Sequence, residues 1–131
     1  MSCFGWYDIG VSIKAGSEDQ VSRIEEEFNN LDLKYRDICI RRDRTDALSL
    51  NLDRDSGEYY NSTDTELEAI ANWIHTKGYQ VTGYILAEIE SEHLRGEFHG
   101  GRVEWESVDW LGMYTNEQIR ELYKYAQEHF K

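Results

Sequence analysis

The sequence predicts a single α+β domain, residues 1–131, with a ferredoxin-like split β-α-β-β-α-β core, a C-terminal β-hairpin extension and a closing α-helix. Three observations predict it. Apolar residues recur with period two in several separate stretches. Three S/T-x-x-E/Q motifs each precede an apolar stripe of helical spacing. A Gly-Gly dipeptide divides the last strand-like segment. The helices are expected mainly on one face of the sheet.

The elements follow in order. Tyr7, Ile9, Val11 and Ile13 form one face of a first strand. Ser17–Gln20 is a capping box, in which the hydroxyl and the amide side chain satisfy free backbone N–H groups, and Val21, Ile24, Phe28 and Leu31 then recur at helical spacing. Ile38 and Ile40 mark a second strand and Leu48, Leu50 and Leu52 a third, with a turn over Asp43–Asp46. Thr63–Glu66 caps a second helix carrying Leu67, Ile70, Ala71 and Ile74, with Gly78 as its terminating residue. Val81, Gly83, Ile85, Ala87 and Ile89 make a fourth strand. A short piece at Glu97–His99, the turn Gly100–Gly101 and a strand over Arg102–Ser107 make the hairpin. Thr115–Gln118 caps a final helix with Ile119, Leu122, Tyr123, Ala126 and Phe130 on its stripe. The sheet face away from the helices is expected to be polar, bearing Ser49, Asn51, Asp37, Arg41, Glu88 and Glu90.

Apolar residues make up 40% of the chain and aromatics 13%, enough to fill one core and too many for a disordered acidic tail. No apolar run approaches the ~20 residues of a membrane span, and MSCFGWYDIG lacks the basic start of a signal peptide, so a cytoplasmic, soluble protein is expected. Cys3 and Cys39 read as buried thiols; neither has a C-x-x-C partner, and nothing supports a disulfide between them.

Charge is the outstanding feature. The chain carries 26 acids against 14 bases, net −12. Such a field repels nucleic acid and anionic membranes and attracts basic protein surfaces. Residues 62–113 hold ten acids and three bases, more than half of the excess. Within them, YILAEIESEHLRGEFHGGRVEWE (84–106) packs six glutamates and two histidines into 23 positions. Arg36, Arg41, Arg42, Arg44 and Arg54 form the one basic cluster, but aspartates alternate with them, as on a salt-bridged surface.

Chemical motifs are sparse. Glu88, Glu90, His93, Glu97 and His99 have the atoms for a divalent metal, yet they match no H-x-H, HExxH or Cys/His quartet. On a continuous strand Glu88, Glu90 and Glu92 would share a face at roughly 6.5–7 Å spacing, with His93 on the other. DRDSGEYYNSTD (53–64) misses the calcium-loop register by one residue, since glycine falls at position 5 rather than 6. His75 and His129 sit near helix C-termini, where the dipole favours a cation. There is no nucleophile elbow, P-loop or dinucleotide fingerprint, so no catalytic residue and no cofactor is expected.

The remaining reading is a protein-binding surface. Glu88, Glu90, Glu92, Glu97, Glu104, Glu106 and Asp109 present negative charge at a spacing comparable in scale with nucleic-acid phosphates, with Trp105 and Trp110 as aromatic anchors. For any one of these tryptophans, filling the core beneath the hairpin is the stronger expectation. The expected partner is a basic protein surface, of the kind a nucleic-acid-binding protein or a nuclease presents.

GEYYNSTDTELEAIANWIHTKGYQVTGYILAEIESEH, leading into GEFHGGRVEWE, resembles the second half of small acidic α+β proteins of bacteriophages and mobile elements, in which a helix, a G-Y-x-x-x-G strand and an acidic hairpin follow one another. The resemblance covers residues 57–106 by element order and carries over no catalytic residue. It implies a stoichiometric inhibitor of host defence, of the anti-CRISPR kind. An immunity protein against a basic nuclease toxin is the close alternative, and a metal-binding protein or hydrolase using the Glu/His cluster at 88–99 is the alternative of another class.

Overall fold

Strand β1 (Gly5–Lys14) is the spine of the sheet in the computed structural model, which describes residues 5–108 and, beyond them, the helical positions Lys124 and Glu128. The element order continues with α1 (Glu18–Asn29), β2 (Ile38–Arg42), β3 (Ser49–Arg54), β4 (Glu58–Tyr59), α2 (Asn61–Lys77), β5 (Gln80–Ile89), β6 (Glu92–His99) and β7 (Arg102–Ser107). The strands form one seven-stranded sheet in the order β2-β3-β1-β5-β6-β7, with β4 pairing the start of β1. Every pairing is antiparallel.

Register sorts the side chains between two faces, because residues directly opposite one another point the same way. Val11 faces Leu52, Ile13 faces Leu50, Ile9 faces Ile85, and Tyr7 faces Ala87. These residues join the apolar stripes of both helices, Val21, Ile24 and Phe28 from α1 and Leu67, Ile70, Ala71 and Ile74 from α2, in one buried cluster. Burial at roughly 25 cal/mol per Å² of apolar area is what holds helices to sheet. The cluster reaches β7 through Val103, and Trp105 packs against its edge. The opposite face carries Asp8, Ser12, Asn51, Arg41, Tyr84, Glu88, Arg95, Glu97, Glu104 and Glu106. Neither described helix contributes to it.

Four local features differ from the sequence expectation. The short piece at Glu97–His99 is the end of a full strand that begins at Glu92. The β5–β6 turn is made by Glu90 and Ser91, both left-handed at φ 52° and 67°, a conformation that usually selects glycine or asparagine. Residues 58–59 form a seventh strand that the period-two pattern does not mark. Helix α2 also starts earlier than its capping motif suggested. Thr63 is its third residue rather than its cap, its hydroxyl accepting the Tyr60 N–H at 3.0 Å, and Glu66 is released to another task. At α1 the expected cap forms: Ser17 Oγ accepts the Gln20 N–H at 3.2 Å, while the Gln20 side chain accepts from the Gly16 N–H.

The expected closing helix falls outside the described residues, except that Lys124 and Glu128 are helical. Cys3, His129, Asp109 and Trp110 lie outside them too. Cys39 is a half-buried free thiol. No helix among the described residues is long and apolar enough to cross a membrane.

Candidate functional site

The acidic residues singled out in the sequence do not form one row. The tight β5–β6 turn reverses the chain over two residues, so Ile89 pairs with Glu92 and Glu88 with His93. Glu88 and Glu92 therefore project from opposite faces, and exposed Glu90 stands at the hairpin tip. A strand running straight through 88–92 would have put all three on one face; the turn overturns that expectation. Glu92 accepts from the Ser107 hydroxyl at 2.7 Å on the helix-side face.

Trp105 is also on the helix side. It lies directly across from Gly96, where a Cβ would come within 2.8 Å of the indole ring and 2.9 Å of Val103, so the missing side chain is what lets the ring lie over β6. Its edge-to-face partner is Tyr59, 6.3 Å between centroids, in a chain that continues to Tyr7. Trp105 is thus core packing at the sheet's end and not an anchor on the acidic face. This meets the expectation that a tryptophan here fills the core.

Four of the expected acids lie on the face away from the two described helices: Glu88, Glu97, Glu104 and Glu106. Glu97 and Glu104 are direct cross-strand partners, an arrangement of like charges that destabilises a sheet unless something offsets it. Arg95 offsets part of it, bonding Glu97 at 2.7 Å and lying 3.8 Å from Glu106, with its guanidinium 4.4 Å from the Tyr84 ring centre. Glu88 is engaged as well, accepting the Trp6 indole N–H at 2.9 Å with the His93 ring nitrogen 3.9 Å away. Glu104 and Glu90 make no hydrogen bond or ion pair among the described residues. They are the uncommitted carboxylates of this end of the sheet.

The five residues considered for a metal do not converge. His93, Glu97 and His99 are strung along β6, and His93 and Glu97 are about 13 Å apart at a strand rise of ~3.3 Å per residue. No group of three His, Cys, Asp or Glu side chains able to hold a metal ion forms among the described residues. In the 53–64 segment, Asp53 pairs with Arg41 at 3.6 Å and Asp64 accepts the Tyr59 hydroxyl at 2.5 Å, so its acids serve the local fold.

A second polar cluster was not read from the sequence. Glu66 is only 3% exposed. One carboxylate oxygen accepts the backbone N–H groups of Tyr35 and Arg36, at 2.9 and 2.7 Å, and so holds a loop in which Arg36 is left-handed at φ 50°. The other oxygen, Oε2, is buried with no hydrogen-bond partner among the described residues. An unpaired buried acceptor costs about 1–3 kcal/mol, more when charged. Next to it Asp37 accepts the Tyr7 hydroxyl at 2.5 Å and the Ser56 N–H at 2.8 Å. Burial works to raise the Asp37 carboxyl, but these bonds outweigh it and hold the group below the ordinary carboxylate range. The signal in the sequence was position: Glu66 falls on the apolar stripe of α2, with Leu67 beside it and Ile70 four residues on, where a carboxylate must find partners.

No protein-family model matches the chain, and no curated protein or solved structure matches it.

Proposed function

We propose that this chain is a non-enzymatic, protein-binding inhibitor whose sheet face away from the two described helices, at the β5–β7 end, occupies a basic surface of its target. The observation that supports this most is the facing pair Glu97 and Glu104, with Glu106 on the same face of β7. Like charges are set opposite each other on an exposed face, and among the described residues Arg95 alone forms ion pairs with them. A cationic partner would relieve that repulsion on binding, so the free protein holds an unfavourable contact that the complex removes. The binding set is accordingly Glu88, Glu90, Glu97, Glu104 and Glu106.

The target proposed is a protein whose basic surface serves nucleic acid, as in host defence or in a nuclease toxin. In the same spirit we read the first six long elements as a ferredoxin-like split β-α-β core. The strand order β2-β3-β1-β5, antiparallel throughout, with one helix before β2 and one before β5, supports that reading.

Affinity capture from cells in which the chain occurs tests the proposal. Wild type and a Glu18→Lys/Glu26→Lys control on the exposed side of α1 should retain the same basic protein, and Glu97→Lys/Glu104→Lys should not. Retention of the same partner by the hairpin variant, or loss with the α1 control alone, would overturn it.

A further inference from the structure

We infer that the cleft between the 32–37 loop and the first turn of α2 is a binding site for a cationic N–H donor, a guanidinium or ammonium group. Two abutting cavities of about 530 and 310 Å³ share Tyr35, Ser62 and Glu66 as common walls. Glu66 brings to that wall a carboxylate with one oxygen fully employed and the other, Oε2, buried and without a donor among the described residues. The employed oxygen fixes the carboxylate in place, since it is bonded to two successive backbone N–H groups. The idle one therefore cannot turn to find a partner of its own. What it lacks is a hydrogen-bond donor, and a charged donor forms the stronger bond with a carboxylate.

The rest of the cleft suits the same chemistry. Tyr35 is half exposed, unusual for so large a ring, and an aromatic face beside a carboxylate is the usual receptor for an organic cation. The Lys34 ammonium already lies 5.4 Å from the centre of that ring, so the ring accepts a cation from the chain itself. Asp32 and Asp37 add negative charge at the two ends of the cleft. A metal ion fits less well, because no three ligating side chains converge among the described residues. The backbone strain at Arg36, held by Glu66, is the sort of local cost that accompanies a pre-formed site. None of these residues belongs to the carboxylate set on β5–β7, so this site stands or falls separately from the proposed inhibitor surface.

The test is an amide-resolved NMR titration with two probes, agmatine as a free guanidinium compound and acetyl-Gly-Arg-Gly-amide as an arginine side chain in a peptide. Saturable shifts at Tyr35, Ser62 and Glu66 are expected. Glu66→Gln keeps an acceptor for the loop N–H groups but removes the charge and the idle oxygen, and should weaken binding about tenfold or more. Tyr35→Ala changes a half-exposed side chain and should weaken it several-fold; it carries the test alone if Glu66→Gln does not fold. Tighter binding of agmatine assigns the site to a small molecule, and tighter binding of the peptide to a side chain of a protein partner; either supports the inference. Absence of saturable shifts with both probes, or wild-type affinity in the folded variants, overturns it.

Discussion

Glu97 on β6 and Glu104 on β7 stand directly opposite each other on the sheet face that the two described helices leave bare. Across an antiparallel pair the Cβ atoms of such residues are ~4.5–5.5 Å apart, close enough for like charges to repel at a cost of a few tenths of a kcal/mol or more. Glu97 is compensated by Arg95, and Glu104 has no charged partner among the described residues. Glu104→Lys should therefore stabilise the free protein by about 0.2–1 kcal/mol while weakening partner binding. Urea unfolding reads the first effect. A variant less stable than wild type would mean that the pair is not frustrated in the free protein.

Gly96 and Trp105 make the complementary prediction on the other face. Gly96→Ala places a methyl group within 2.8 Å of the indole and 2.9 Å of Val103. Overpacking of this kind costs about 1–3 kcal/mol, and the displaced ring should change its fluorescence. A melting temperature equal to wild type would show that Trp105 moves aside freely and is not fixed against Tyr59.

The β5–β6 turn is built from the wrong residues for its shape. Ser91 is held at φ 67°, where a residue with a Cβ is strained by roughly 1 kcal/mol and glycine is not. Ser91→Gly should raise stability by about 0.5–1 kcal/mol in thermal or urea unfolding without altering charge. Destabilisation would contradict the left-handed assignment.

One aspartate and one tyrosine shape the pH profile of stability. Asp37 titrates below its unfolded value in the folded chain, since the Tyr7, Ser56 and Gly57 bonds outweigh the opposing effect of burial. Its contribution is therefore present above the ordinary carboxylate range and is lost as pH falls through the depressed folded value. Asp37→Asn should flatten the acid limb of the stability profile. At the other end, burial and the hydrogen bond to Glu27 push Tyr79 up to about 12. A raised tyrosine contributes stability that is complete below its unfolded value near 10 and vanishes as pH rises through the folded one. Tyr79→Phe should make the alkaline limb shallower, leaving the part that comes from Tyr7 and Tyr59, which burial also raises. A profile in either variant that parallels wild type over its own limb would contradict these assignments.

Much of this architecture was legible from period and punctuation. Tyr7, Ile9, Val11 and Ile13 alternate without interruption, and the structure buries all four. Gly100 and Gly101 announce their turn and adopt left-handed backbone there. The β5–β6 turn was not legible, because Glu90 and Ser91 carry none of the glycine or asparagine that marks such turns. Alternation read straight through them assigns Glu92 to the wrong face. The role of Glu66 was hidden by a coincidence: Thr63 and Glu66 have capping-box spacing, but the helix begins at Asn61, which frees the carboxylate to hold a loop thirty residues away in sequence. Local spacing cannot reveal a partner that only the tertiary fold supplies.

The most direct test of the inhibitor surface is calorimetric titration of the captured partner with wild type and Glu97→Lys/Glu104→Lys, at low and at physiological ionic strength. Wild type should bind stoichiometrically with an affinity that falls as salt rises, and the hairpin variant should give no measurable heat at either condition. Equal affinity of the two proteins, or a wild-type affinity indifferent to salt, would contradict the account.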